Sequence, residues 1–183
     1  MLVKMEKVTD KNIEVLQQIS IETFSDTFGS ENSKEDLDNY LKTAYGYQKL
    51  KNEVSNPDTE FQLIYYDDKL SGYIKINVGH AQTELKEDAG LEIERIYIRK
   101  PFHRFGLGKY LVNYVFNKAQ ELNKDYVWLG VWEHNEGAIT FYHKQGFFAF
   151  NEHIFNLGGD IQRDILMKKE LWKWSKKFSS SIM

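Results

Sequence analysis

The sequence predicts a mixed α/β protein with a largely antiparallel central sheet flanked by helices. Segments of period two, rich in Ile, Val, Tyr and Phe, alternate with segments of period 3.6. Strands follow one another directly around Asp67-Asp68, and a two-residue turn forces them antiparallel. The element order β-α-α-β-β-β-α-β-α-β-β lacks the strict alternation of a doubly wound parallel sheet.

Leu2 to Val8 reads as a short strand. Thr9 and Asp10 offer N-caps for a helix whose face runs Ile13, Leu16, Gln17, Ser20 and Phe24, closed by Gly29. Ser33-Lys34-Glu35-Asp36 resembles a capping box with Asp in place of Glu, opening a helix over Lys34 to Tyr45. A third helical piece spans Gln48 to Val54, and Asn56-Pro57 is a turn. Phe61 to Tyr66 and Leu70 to Val78 form a hairpin, and Gln82 to Gly90 is a polar, acidic connection. Leu91 to Ile98 is a strand stopped by Pro101. Gly106 and Gly108 then open a helix with Leu107, Leu111, Val115 and Leu122 on one face. Tyr126 to Trp132 is a buried strand. Glu136 to Gln145 is a helix with Gly146 at C′. Phe147 to Phe155 and Ile161 to Lys168 are closing strands, with Gly158-Gly159 in their turn. Residues 1–170 are expected to form one domain and 171–183 a tail helix. The tail carries Trp172, Trp174, Lys173, Lys176 and Lys177, and docking of its Trp residues is expected over membrane contact.

With no cysteine, disulfides, thiolate zinc sites and a cysteine nucleophile are excluded. No two histidines have H-x-x-x-H spacing, and no metal site is expected. The charged N-terminus and the lack of any apolar run near ~20 residues point to a cytoplasmic protein without a membrane span. A net charge of −3 disfavours nucleic acid as partner.

The segment LEIERIYIRKPFHRFGLG feeds a strand into a glycine-lined helix start. The first N–H groups of a helix lack internal partners, and the macrodipole adds positive charge there. Glycines let a phosphate approach those groups. The dinucleotide fingerprint fails because Leu111 occupies the third glycine position. The G-K-[ST] phosphate loop fails because Tyr110 follows Lys109. Glu92 and Glu94 are two apart on one strand and are expected to share a face with Ile96 and Ile98. Glu22 and Asp26, four apart, share a helix face.

EIERIYI, HRFGLG, GVWEHNEGAITFYHKQGF and the closing strands, in that order, resemble the GNAT acetyltransferase superfamily. ETFSDTF, GYIKINVGHAQTE, LGVWEHN and DIQRDILMKKEL are similar to the PaiA-type polyamine acetyltransferases within it. The resemblance implies a GNAT fold and direct attack of an amine on the thioester of acetyl-CoA, without a covalent enzyme intermediate. It implies cofactor contacts from Ile96, Tyr97 and Ile98, from His103, Arg104, Phe105, Gly106, Leu107, Gly108 and Lys109, and from Asn135 and Lys144. His103 departs from the family's usual Gln or Arg. Counting six residues back from Ile98 gives Glu92 as the base, with Glu94 in reserve. FYHKQGF gives Tyr142 as the general acid. Glu22, Asp26 and Glu84, with Glu31 and Glu87 as further acids, would hold a small polyamine such as spermidine or spermine. A protein or peptide N-acetyltransferase and a non-catalytic acetyl-CoA-sensing module are the rival readings. The oligomeric state, a homodimer included, is open.

Overall fold

The structure, a computed structural model, describes residues 2–29, 33–157 and 160–171. Glu31, the Gly158-Gly159 turn and the tail from Trp172 onward lie outside them.

Among the described residues seven strands form one sheet. They are β1 (Val3–Lys7), β2 (Thr59–Tyr66), β3 (Lys69–Val78), β4 (Gly90–Ile98), β5 (Tyr126–Trp132), β6 (Phe148–Leu157) and β7 (Asp160–Glu170). Their spatial order is β1-β2-β3-β4-β5-β7-β6. Among the described residues only β4 and β5 pair in parallel, joined by a crossover through α4 (Leu107–Glu121). The other neighbours are antiparallel, as the hairpin and the element order predict. Asp67 and Asp68 both have positive φ, the twist a two-residue hairpin needs.

Helices α1 (Ile13–Phe28), α2 (Lys34–Ala44) and α3 (Tyr47–Val54) precede the hairpin, and α5 (Glu136–Lys144) follows β5. Ile13, Leu16 and Ile19 of α1 and Leu50 of α3 bury against Phe61, Leu63 and Tyr73 of the sheet. Leu111, Val112, Val115 and Ala119 of α4 and Tyr142 of α5 bury against Ile74, Ile76, Leu91 and Ile93. The sheet is therefore sandwiched between two apolar layers.

Ser33 caps α2 by accepting from the Asp36 amide at 3.1 Å, and its hydroxyl donates to the Asp36 carboxylate. The start of α1 differs from expectation, because Asn12 and not Thr9 or Asp10 stands at its cap position. Its side chain is spent elsewhere, accepting from the Thr9 amide and donating to Glu6. At the end of α5, Gly146 at φ +90° lets its own amide and that of Phe147 reach back to His143 and Tyr142.

Candidate active site

The site begins with a slip in the pleat. On β3, Lys75 faces Arg95 and the next residue, Ile76, faces Ile93, so Glu94 is an extra residue on β4. Past this bulge the faces exchange parity. Leu91 and Ile93, then Ile96 and Ile98, all turn to the α4–α5 layer. Arg95 and Tyr97 turn to the opposite layer, Arg95 over the Tyr45 ring at 5.1 Å and Tyr97 against Tyr73 at 5.7 Å. The expectation that Ile96 and Ile98 share the glutamates' face is thereby corrected, since counting by two assumes an uninterrupted strand.

The same bulge opens the sheet. The β4–β5 ladder runs from Gly90↔Tyr126 to Ile93↔Leu129 and stops. Beyond it lies a gap of about 120 Å³ lined by residues 93–97 and 130–132. Thr27 and Phe28 of α1 and Asn135, Ala138 and Tyr142 close its ends. A second cleft of about 430 Å³ lies alongside, lined by Glu84, Glu92, Asp164, His153, Tyr40 and Trp128 among others. Glu94 and Gly130 line both cavities, so the two meet there.

The two glutamates have different partners. Glu92 is 2% exposed and is held by neutral donors. Asn77 and the Thr83 amide donate to one oxygen at 2.9 and 3.0 Å, and the Thr83 hydroxyl donates to the other at 2.5 Å. Burial pushes its carboxyl up, only partly offset by the Asn77 and Thr83 bonds, and the neighbouring Glu94 adds to the rise. Glu94 is half-buried, but Arg95 at 3.0 Å and Lys75 at 2.6 Å overcome the cost of that burial and hold it below the usual carboxylate range.

Gly106 caps α4 at φ +79°. Arg104 is also left-handed, at φ +68°. The amides of Leu107, Gly108 and Lys109 have no intrahelical acceptor and face outward from the helix start. A Cβ on Gly106 would meet nothing within 4 Å, so the turn demands glycine for its dihedral and not for space. At Gly108 a Cβ would come within 3.2 Å of the Phe141 ring, which packs α5 against this helix start. His103 donates from Nε2 to the Ile98 carbonyl at 2.8 Å, so its ring is turned back onto the strand end. Arg104, Phe105, Lys109 and Lys144 are exposed, and Leu107 is core. Asn135 caps α5 by accepting from the Ala138 amide at 3.1 Å. Tyr142 is 6% exposed, and burial pushes its phenol up.

Glu22 and Asp26 line neither cavity. Glu22 pairs with Arg99 at 2.6 Å and Asp26 lies 4.0 Å from Lys100, so the acids of α1 face the basic end of β4. Glu84 does line the acidic cleft and pairs with His153 at 2.7 Å. Glu87 accepts from the Tyr126 hydroxyl at 2.6 Å. Sequence reasoning missed Asp164, His153, Tyr40 and Thr83. Asp164 broke the apolar pattern of a closing strand, a signal that could have marked it. Among the described residues no helix is long and apolar enough to cross a membrane, and no His, Asp or Glu group could hold a metal.

The pattern of the Acetyltransferase (GNAT) family matches residues 14–147. An uncharacterized N-acetyltransferase of Lactobacillus delbrueckii subsp. lactis is 45% identical over 169 residues, 92% of this chain and 98% of its own. A spermidine N(1)-acetyltransferase of Thermoplasma acidophilum is 24% identical over 151 residues, 80% of this chain and 89% of its own. The crystal structure of PaiA N-acetyltransferase from T. acidophilum, in complex with coenzyme A, superposes with a TM-score of 0.76 at 22% identity. That likeness covers 93% of this chain and 100% of the other, and it speaks for the fold. The family pattern spans the glycine-capped helix, the opened strand pair and the Tyr142 helix, and with it the chain belongs to the GNAT family of N-acetyltransferases.

Proposed function

We propose that the protein acetylates a primary amine of a small polyamine, spermidine or spermine, with acetyl-CoA as donor. The observation that carries this reading is the acidic cleft, where Glu84, Glu92, Glu94 and Asp164 line about 430 Å³ that opens onto the β4–β5 gap. A polycation fits such a wall, and an amine entering it reaches the gap at Glu94 and Gly130. The distant relative named as a spermidine acetyltransferase supports the same class.

The residues present fit the donor. The amides at the start of α4 suit a pyrophosphate. The edge of β4 at residues 94–97, without a β5 partner, suits an arm that carries amides. When bound, acetyl-CoA supplies a thioester whose carbonyl carbon accepts the amine nitrogen and whose sulfur departs. Glu92, kept basic by burial, takes the ammonium proton directly or through one water and passes it to solvent. Tyr142 keeps its proton at neutral pH and stands at the gap to give it to the departing sulfur. The amine's second proton replaces it, so protons balance over the turnover. Glu94 holds its charge beside the incoming ammonium and leaves base catalysis to Glu92.

Release of coenzyme A measured across spermidine, spermine, amino acids and peptides tests the substrate class. Polyamines should give the highest kcat/KM. Faster turnover of peptides with a free N-terminus would replace this substrate and leave the N-acetyltransferase activity standing.

A further inference from the structure

Thr59, Asn77 and Glu92 are register partners across three strands, so their side chains form one row. Asn77 is 1% exposed. Its amino group donates to Glu92 Oε2 at 2.9 Å and to Glu94 Oε2 at 2.6 Å. Its carbonyl oxygen accepts from the Thr59 hydroxyl at 3.0 Å. An amide has two amino protons, and here each goes to a different carboxylate. The two carboxylates settle which end of the amide faces them, because an ionised carboxylate only accepts, and the Thr59 hydroxyl then donates to the carbonyl end. The spacing of two already puts Glu94 on the side of Glu92, and the bulge adds Arg95 to that side, beside Glu94.

We infer that Asn77 is a positioning residue: one proton to each carboxylate keeps Glu92 and Glu94 at a fixed spacing, with Glu92 alone left to accept the amine's proton and Thr59 orienting the amide. This rests on the proposed role of Glu92 as base. Two carboxylates on one donor cannot both stay charged in a buried place unless one has cations. Lys75 and Arg95 serve Glu94, and both also reach Glu53 of α3. Across the cleft, Glu84, Asp164 and His153 face Glu92, with Tyr40 of α2 near Glu94 and Asp164. No cation bonds Glu92 directly among the described residues, and its other donors are the amide and hydroxyl of Thr83. A negative residue at position 77 would repel both glutamates, and an apolar one would strip a donor from each.

The test is the pH dependence of kcat for spermidine acetylation, with acetyl-CoA affinity by calorimetry and circular dichroism as checks of the fold. Asn77→Ala should lower kcat at pH 7 about tenfold. It should also move the acid limb to higher pH, with acetyl-CoA affinity within about twofold. Thr59→Val should shift the limb the same way by less, and Thr59→Ser should restore it. Glu92→Gln separates the two ideas. If it keeps the wild-type rate and profile, the base assignment itself fails. If it removes the acid limb while Asn77→Ala and Thr59→Val both overlay wild type, the positioning role fails and the base stands. Should Asn77→Ala not fold, the Thr59→Val and Thr59→Ser pair decides, and an unmoved limb in Thr59→Val overturns the inference.

Discussion

Glu92 and Glu94 are chemically identical and two residues apart, yet their surroundings give them opposite tendencies. Burial raises one, and two cations lower the other. With Glu92 as the proposed base, which works as the carboxylate, activity should rise with pH through its raised value. Glu94→Gln removes a negative neighbour and leaves Lys75 and Arg95 with Glu53 as their one remaining carboxylate among the described residues. Both effects favour the charged form of Glu92, so the acid limb of the pH–rate profile should move to lower pH. A limb that moves upward would reverse the two roles. Tyr142→Phe keeps the ring packing against Phe141 and Phe147 and removes only the proton. Turnover should fall by about 10²–10⁴-fold in single-turnover assays while acetyl-CoA affinity holds. The glutamate pair and the tyrosine were legible in the sequence because they sit inside short local patterns. The partners of the glutamates were not: Lys75, Asn77 and Thr83 come from other parts of the chain, and no local spacing announces them.

At the scale of elements, strands, helices and the glycine-capped helix start follow from period, caps and turn residues. The bulge at Glu94 does not, because an inserted residue leaves the residue types of a strand unchanged and alters only their phase. The same holds on α1: helical spacing puts Glu22 and Asp26 on one face without saying that Arg99 and Lys100 meet it. The helix start carries two separable predictions. Gly106→Ala meets open space but must hold φ near +79°, at a cost of about 1–2 kcal/mol that urea denaturation would read. Gly106→Asp should fold comparably to Gly106→Ala yet bind acetyl-CoA more weakly in calorimetry, through charge and not through a clash, since a Cβ there meets nothing within 4 Å. At α5, Asn135→Ala removes the bond from the Ala138 amide and should lower stability by about 0.5–2 kcal/mol.

The whole molecule is two antiparallel wings, β1–β4 and β5–β7, joined within the sheet by four parallel register pairs. Leu129 sits at the last of them, 1% exposed in the α4–α5 layer. Leu129→Ala should therefore cost about 2–5 kcal/mol, measured by denaturant midpoint at constant slope. Acetyl-CoA, if it binds between the wings as proposed, should offset part of that loss, by about 2.7 kcal/mol at a hundredfold excess over its Kd. The short join also has a signature in isotope exchange. Alternate amides between Glu94 and Ile98 point across the gap with no β5 carbonyl to receive them. In deuterated water they should exchange far sooner than the amides of Leu91 and Ile93 in the same strand. Saturating acetyl-CoA should slow that edge alone, leaving the β3-facing amides of β4 at their former rates.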